Sequence, residues 1–172
     1  TLAAQVDAVF DATRPEVVIH TAAMTNVDAC ELDPAACQLQ NVVATEHLVS
    51  AAKRLNAHFI HLSTDFIFDG TAHLPYPPDA LPNPLGVYGR TKLMCEQILE
   101  DISKAHGLNF AALRYFNAAG ADPQGETGEE HDPETHLIPN ALKAAVGLGG
   151  PMKLFGNDYP APDGTCIRDF IH

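Results

Sequence analysis

The 172-residue sequence contains no apolar run approaching the roughly 18 residues a membrane-spanning helix needs, so no membrane span is expected. It opens at Thr1 without a charged segment followed by an apolar stretch, so no signal peptide is expected and a cytoplasmic protein is the default. Basic residues are scarce: 10 Lys and Arg stand against 22 Asp and Glu, a formal net charge of −12. That balance leaves no cationic stripe to neutralise the phosphates of a duplex, which disfavours nucleic acid as a partner. Cys30, Cys37, Cys95 and Cys166 include no C-x-x-C pair and read as free thiols in a reducing compartment. G-x-S-x-G and G-x-x-x-x-G-K-[ST] are absent, which removes the nucleophile-elbow hydrolases and the phosphate-loop enzymes. No metal is expected either. His58 and His61 sit three apart in a strand-like run and face opposite ways, and His131 and His136 share an acidic loop without zinc spacing.

What is present reads as alternating strand and helix. A chain of this length buries roughly 70% of its unfolded surface and needs no disulfide or metal to hold a core. Val17-Val18-Ile19-His20 is a short apolar β-branched run, and His58 to Ser63 and Phe110 to Tyr115 are two more strands. Asp33-Pro34 places a capping carboxylate before a proline, and apolar residues recur at helical spacing from there to Leu55. Another helix is predicted from about Val87 to Lys104, closed near Gly107, and a third from Leu137 to Val146. Gly147-Leu148-Gly149-Gly150 follows a helix rather than a strand, so it reads as a cap and turn, not a dinucleotide loop. Met152 to Phe155 reads as a short strand. Asp69 to Gly86, with Pro75, Pro77, Pro78, Pro82 and Pro84, must be a surface loop over the carboxyl edge of the sheet. Strand, helix, strand, helix, strand is the pattern of an α/β fold on a parallel sheet with right-handed crossovers.

Tyr88-Gly89-Arg90-Thr91-Lys92 puts a phenol and an ammonium four residues apart, on one helix face. An ammonium beside a phenol favours the phenolate, as a general base requires. At the end of the preceding strand, where open α/β sheets bind ligands, stand Ser63 and Thr64. The acids Asp28, Glu31 and Asp33 precede a helix start and read as partners of its dipole, and Glu126, Glu129, Glu130 and Asp132 as a solvated loop face.

These residues resemble the extended short-chain dehydrogenase/reductases. His20-Thr21-Ala22-Ala23 looks like that family's loop under the dinucleotide, Asn41 like its helix asparagine, and Thr64, Tyr88 and Lys92 like its catalytic triad. Val27 to Glu31 (VDACE) and Leu62 to Gly70 (LSTDFIFDG) are most similar to dTDP-4-dehydrorhamnose reductases. From Tyr88 onward the phrases KLMCEQIL, LRYFNAAGA, HLIP, FGNDYP and DGTCIRDFIH are similar to UDP-glucose 4-epimerases. The change of resemblance falls near residue 85.

The resemblance implies a doubly wound Rossmann-type parallel sheet with the start of a smaller substrate domain. It implies a fragment: 1–116 as a partial dinucleotide-binding domain lacking its first βαβ unit, and 117–172 as a partial nucleotide-sugar-binding segment. The implied cofactor is NAD, with NADP the alternative, contacted by Thr21, Ala22, Ala23, Asn41, Ser63, Tyr88, Lys92 and Phe116. Asn117, His136, Leu137, Phe155 and Arg168 are the implied contacts for a UDP-hexose or dTDP-sugar. Physically, Arg168 suits a phosphate fork and Phe155 a base-packing face. A surface salt bridge with Asp163 or Asp169 and an ordinary core aromatic are the competing readings of those two residues. Met24-Thr25-Asn26 and Asp65 depart from the epimerase pattern toward the reductases. Three functions therefore stand: 4-epimerisation with bound NAD, one-way reduction of a 4-keto sugar, and a non-catalytic nucleotide-sugar or dinucleotide-binding subunit. Family members pair through helices that include the Tyr88 helix, so a homodimer is implied.

Overall fold

Three parallel strands carry the architecture of the computed structural model, which describes residues 3–72 and 74–172. They are β1 (Val17–His20), β2 (His58–Thr64) and β3 (Phe110–Tyr115), hydrogen-bonded in the order β1-β2-β3. The register pairs Ile19 with Ile60 and His20 with His61, then Ser63 with Arg114 and Thr64 with Tyr115. Alternate residues of β2, Phe59, His61 and Ser63, are buried under the helices, while Ile60 and Leu62 between them are only half-buried. That alternation follows from the two-residue period of a strand.

The crossover from β1 to β2 is one long helical run. Asp33 accepts a hydrogen bond from the Ala36 amide at 2.9 Å, and Pro34 occupies the first turn, as the sequence predicts. The run proceeds through α3 (Pro34–Cys37), a π-helical turn (Gln38–Val43) and α4 (Ala44–Leu55), and ends on Asn56 in the left-handed region. Before it lie α1 (Ala3–Thr13) and α2 (Val27–Leu32). The second crossover is α5 (Val87–His106), which ends on Gly107 at φ 73°, two residues beyond the predicted end. Right-handed crossovers running in one direction across the sheet put α4 and α5 on the same face, where they pack on each other and on β2. Val6 and Phe10 of α1, Val49 and Ala52 of α4, Phe59 of β2, Leu99 of α5 and Leu108 close that side as one core. Arg54 of α4 pairs with Asp7 at 2.9 Å and with Asp11, tying α1 to it. On the opposite face Val17, Ile19, Leu113 and Tyr115 are exposed, and no helix covers them among the described residues. The described sheet is thus one wing of the doubly wound arrangement.

The segment between β2 and α5 is irregular, as its prolines demand, but it is tied down. The Asp69 carboxylate accepts from the amide and hydroxyl of Thr71, the Tyr76 hydroxyl and the Asn83 amide. Those donors hold its pKa well below the usual carboxylate range. Phe68 stacks on Tyr76 with centroids 4.4 Å apart.

The chain divides into two compact units, one ending at Tyr115 and the other Phe116–His172. In the second, β4 (Asn117–Ala118) pairs in parallel with β5 (Phe170–Ile171), and α6 (Leu137–Ala145) is followed by Gly147 at φ 74°. The strand expected at Met152 to Phe155 does not form. Met152, Leu154 and Phe155 are exposed and no neighbouring strand offers a ladder, without which an extended run has nowhere to satisfy its amides. No helix among the described residues is long and apolar enough to cross a membrane.

Candidate active site

Thr64 at the carboxyl end of β2 and Tyr88 and Lys92 in the first turns of α5 are each 9% exposed or less, and the Thr64 side chain is a hydrogen-bonding neighbour of the Tyr88 phenol. Thr64 ends β2 and its hydroxyl accepts from the Phe66 amide at 3.2 Å, turning the chain into a 3₁₀ turn (Asp65–Ile67). That turn sets Phe66 edge-on to the Tyr88 ring, centroids 5.7 Å apart. Gly89 lets this happen, because a Cβ there would collide with the Phe66 carbonyl oxygen. The glycine inside the Tyr-Lys motif is therefore a close-approach residue, which the spacing argument did not identify.

The start of α5 is capped from afar. Glu31 of α2 accepts a hydrogen bond from the Val87 amide at 2.5 Å, placing a carboxylate on the helix N-terminus. Glu31 was read as a partner of the helix that follows it in sequence, but it serves one 56 residues later. Cys30, Cys37 and Tyr88 pack together with Met24, Val27 and Val87 around them, and all four cysteines are free.

Burial pushes the Tyr88 phenol above its ordinary value, and the adjacent Thr64 side chain pulls the other way. Lys92 is lowered, chiefly by burial. Its charge is felt by His20 and His61, which burial and then Lys92 depress to about 4 and about 3. The expected depression of the tyrosine by Lys92 is accordingly not what these side-chain positions produce. The Lys92 ammonium forms no hydrogen bond or ion pair among the described residues, so its donors remain for a bound group.

Asn41, on the inner side of the π-helical turn and 1% exposed, accepts from the Met24 amide at 2.7 Å. It donates to the Met24 carbonyl at 3.2 Å and the Thr91 hydroxyl at 3.0 Å. It was expected among the cofactor contacts. Its amide is engaged with protein groups, clamping the loop after β1 to α5. Ser63 is similarly engaged, donating inward to Glu96 at 2.5 Å. Thr21 and Ala22 are exposed, and Ala22 and Ala23 line a cleft of about 280 Å³ with Gln40 and Ala44. The implied dinucleotide loop thus borders open space beside the sheet edge. An ammonium on Lys92 with no protein partner among the described residues, and a cleft beside the loop after β1, are each of a kind that suits the ribose and phosphate of a dinucleotide.

In the second unit Phe116 precedes the small β4–β5 ladder, Asn117 opens it opposite Phe170, and the Asn117 side chain donates to the Asp169 carbonyl at 2.8 Å. Arg168 is exposed and makes no salt bridge among the described residues, while Asp163 is engaged by Thr165. Phe155 is 88% exposed, so the core-aromatic reading fails. His136 stands at the N-cap position of α6 without a side-chain capping hydrogen bond and approaches Glu134 at 2.9 Å, and Leu137 is exposed. Glu129, His131 and His136, too unevenly spaced in sequence to suggest a cluster, bring one ligand atom each to within 4.8 Å of the others at the surface.

Comparison with known proteins gives the family and the fold. The RmlD substrate binding domain family matches residues 1–114. The UDP-glucose 4-epimerase of Rhizobium meliloti (strain 1021) is 43% identical over 98% of this chain and 52% of its own length. The crystal structure of UDP-glucose 4-epimerase from Brucella ovis in complex with NAD is 43% identical, with a TM-score of 0.88 over 99% of this chain and 53% of that one. A dTDP-4-dehydrorhamnose reductase from Clostridium acetobutylicum is 31% identical, with a TM-score of 0.62 over 69% of this chain and 41% of that one. The chain spans about half the length of the curated relatives it matches. The epimerase similarity runs through both stretches that the sequence motifs set apart near residue 85.

Proposed function

The chain belongs to the RmlD substrate binding domain family, within the extended short-chain dehydrogenase/reductases, and on that premise we propose that it carries the catalytic residues of a nucleotide-sugar 4-epimerase. The reaction is the interconversion of UDP-glucose and UDP-galactose through a 4-keto sugar. The observation that supports the reading is the Thr64 side chain, at the end of β2, acting on the buried Tyr88 phenol, with Lys92 one turn further along the same helix. NAD, the cofactor named with the Brucella ovis relative, supplies the hydride acceptor and donor for the sugar carbon when bound.

The chain's own residues handle the proton. Tyr88, as phenolate, takes the proton of the sugar 4-hydroxyl and returns it after the keto sugar turns over. Burial opposes that phenolate, so a cation must stand beside it, and Lys92 is one helical turn away on the same face with donors to give. Thr64 hydrogen-bonds the reacting oxygen. Thr21, Ala22, Ala23, Asn41, Ser63 and Phe116 contact the cofactor together with Tyr88 and Lys92, and Asn41 also holds the loop after β1. Arg168 and Asn117 bind the diphosphate, Phe155 packs on the base, and His136 and Leu137 lie against the nucleotide sugar. The complete protein works in the cytoplasm and pairs as a homodimer through α5.

The direct test supplies UDP-galactose, with no added nicotinamide nucleotide, to a full-length protein carrying this segment. UDP-glucose is the expected product. Turnover that requires both NAD(P)H and a 4-keto-6-deoxy sugar would replace this reading with the reductase one, which the match over residues 1–114 supports.

A further inference from the structure

We propose that Glu96 and Arg114 are positioning residues of this site, locking the rotation of α5 against β2 so that Tyr88 stays in reach of Thr64. The proposal rests on the functional reading only for its kinetic arm. Tyr88, Lys92 and Glu96 follow one another at four-residue intervals and share one face of α5. Glu96 is buried, its side chain 5% exposed. It accepts the Ser63 hydroxyl at 2.5 Å, so α5 is bonded to the residue immediately before Thr64.

Arg114 completes the clamp. It lies opposite Ser63 in the β2–β3 register, and its guanidinium forks onto Glu96, Nη2 to Oε2 at 2.7 Å and Nε to both carboxylate oxygens at 3.2 Å. The same guanidinium lies 5.4 Å from the centroid of the Phe68 ring and reaches the Pro78 carbonyl at 3.5 Å. Two strands, the catalytic helix and the proline-rich loop therefore meet on one ion pair. A pair of this kind, buried on the glutamate side and part-exposed on the arginine side, is a poor source of stability compared with apolar packing. What a planar fork adds is direction: it fixes the angle at which the helix meets the sheet, which an apolar contact leaves loose. Glu96 is about 12 Å along the helix from Tyr88, so its charge acts on the phenol weakly and its geometry strongly.

The test is the titration of Tyr88 in the 172-residue chain, followed by tyrosinate absorbance with Tyr88→Phe subtracted, in Glu96→Gln, Arg114→Lys and Ser63→Ala. Loss of the clamp parts Tyr88 from Thr64, the neighbour that eases its ionisation, so the midpoint rises, by about one pH unit in the first two variants. A purely electrostatic role predicts the reverse for Glu96→Gln, since removing a negative charge favours the phenolate. It predicts no change for Arg114→Lys. The other groups facing Tyr88, namely Asp65, Cys30 and Cys37, are untouched by the substitutions. Ser63→Ala removes one hydroxyl, keeps the ion pair, and is expected to shift the midpoint the same way by less. It serves if either ion-pair variant fails to fold. In the full-length protein, Arg114→Lys is expected to lower kcat about tenfold with KM for UDP-galactose changed by less than about twofold. An unchanged or lowered midpoint in folded variants overturns the proposal. Should the wild-type protein not turn over UDP-galactose, the functional reading falls while the titration still decides the clamp.

Discussion

Tyr88→Phe in a full-length protein carrying this segment is expected to lower kcat for UDP-galactose by about 10²–10⁴-fold, the usual contribution of a positioned acid–base group. The substitution is close to silent structurally. The ring keeps its edge-on contact with Phe66 and its place beside Cys30 and Cys37, and only the hydroxyl facing Thr64 is lost. Thermal stability is expected to fall little, because among the described residues the hydroxyl has no hydrogen-bonding neighbour beyond Thr64. A drop confined to kcat, with the melting temperature and KM near those of the wild type, identifies the phenol as the group acting in the transition state. Full activity in the phenylalanine variant would remove Tyr88 from the chemistry.

In mild acid the 172-residue chain is expected to lose much of its stability. His20 and His61 lie side by side beneath the helices, centroids 5.4 Å apart, with Lys92 of α5 adding its positive charge. His20 reaches Thr45 at 3.0 Å, whereas neither ring nitrogen of His61 has a hydrogen-bond partner. Burial first and Lys92 second depress the two to about 4 and about 3, against about 6.5 in the unfolded chain. Below pH 6.5 the unfolded state therefore binds more protons, and stability falls as pH falls. The loss continues to about pH 4 for His20 and about pH 3 for His61. At pH 4.5 each group removes roughly 2–3 kcal/mol, a large part of a typical domain's ~5–15 kcal/mol. Urea midpoints at pH 7 and pH 4.5 measure the drop. His61→Leu, which removes two unpaired nitrogens, is expected to leave the chain at least as stable at pH 7 and to flatten the pH dependence. Equal slopes for variant and wild type would contradict the assignment.

Much of this was legible in the residues because it is local. A β-branched run marked β1 and short apolar runs marked β2 and β3, Asp33-Pro34 and Gly107 bounded the helices, and four-residue spacing put Tyr88 and Lys92 on one face. What escaped is long-range or lacks a local mark. α1 has no acidic residue in its first turn and no basic residue in its last to announce its ends, and it is held by Val6 and Phe10 packing on distant elements. The π-helical turn that brings Asn41 inward has no composition signal. Glu31 capping α5 joins residues 56 apart, and the Ser63–Glu96–Arg114 clamp joins three elements that only the sheet brings together. The strand expected at Met152 to Phe155 fails for the complementary reason. Its sequence is suitable, but extended backbone becomes a strand only when a neighbour pairs with it.

The central claim is that Thr64, Tyr88 and Lys92 support removal of a hydride from the sugar's C4 and its return to the same carbon. UDP-galactose deuterated at C4, given to the full-length protein in ordinary water, tests this most directly. The account predicts UDP-glucose that keeps the deuterium at C4, with no loss to solvent. Product that has exchanged that deuterium for solvent hydrogen would contradict it, because the carbon would then have been inverted through a proton rather than a returned hydride.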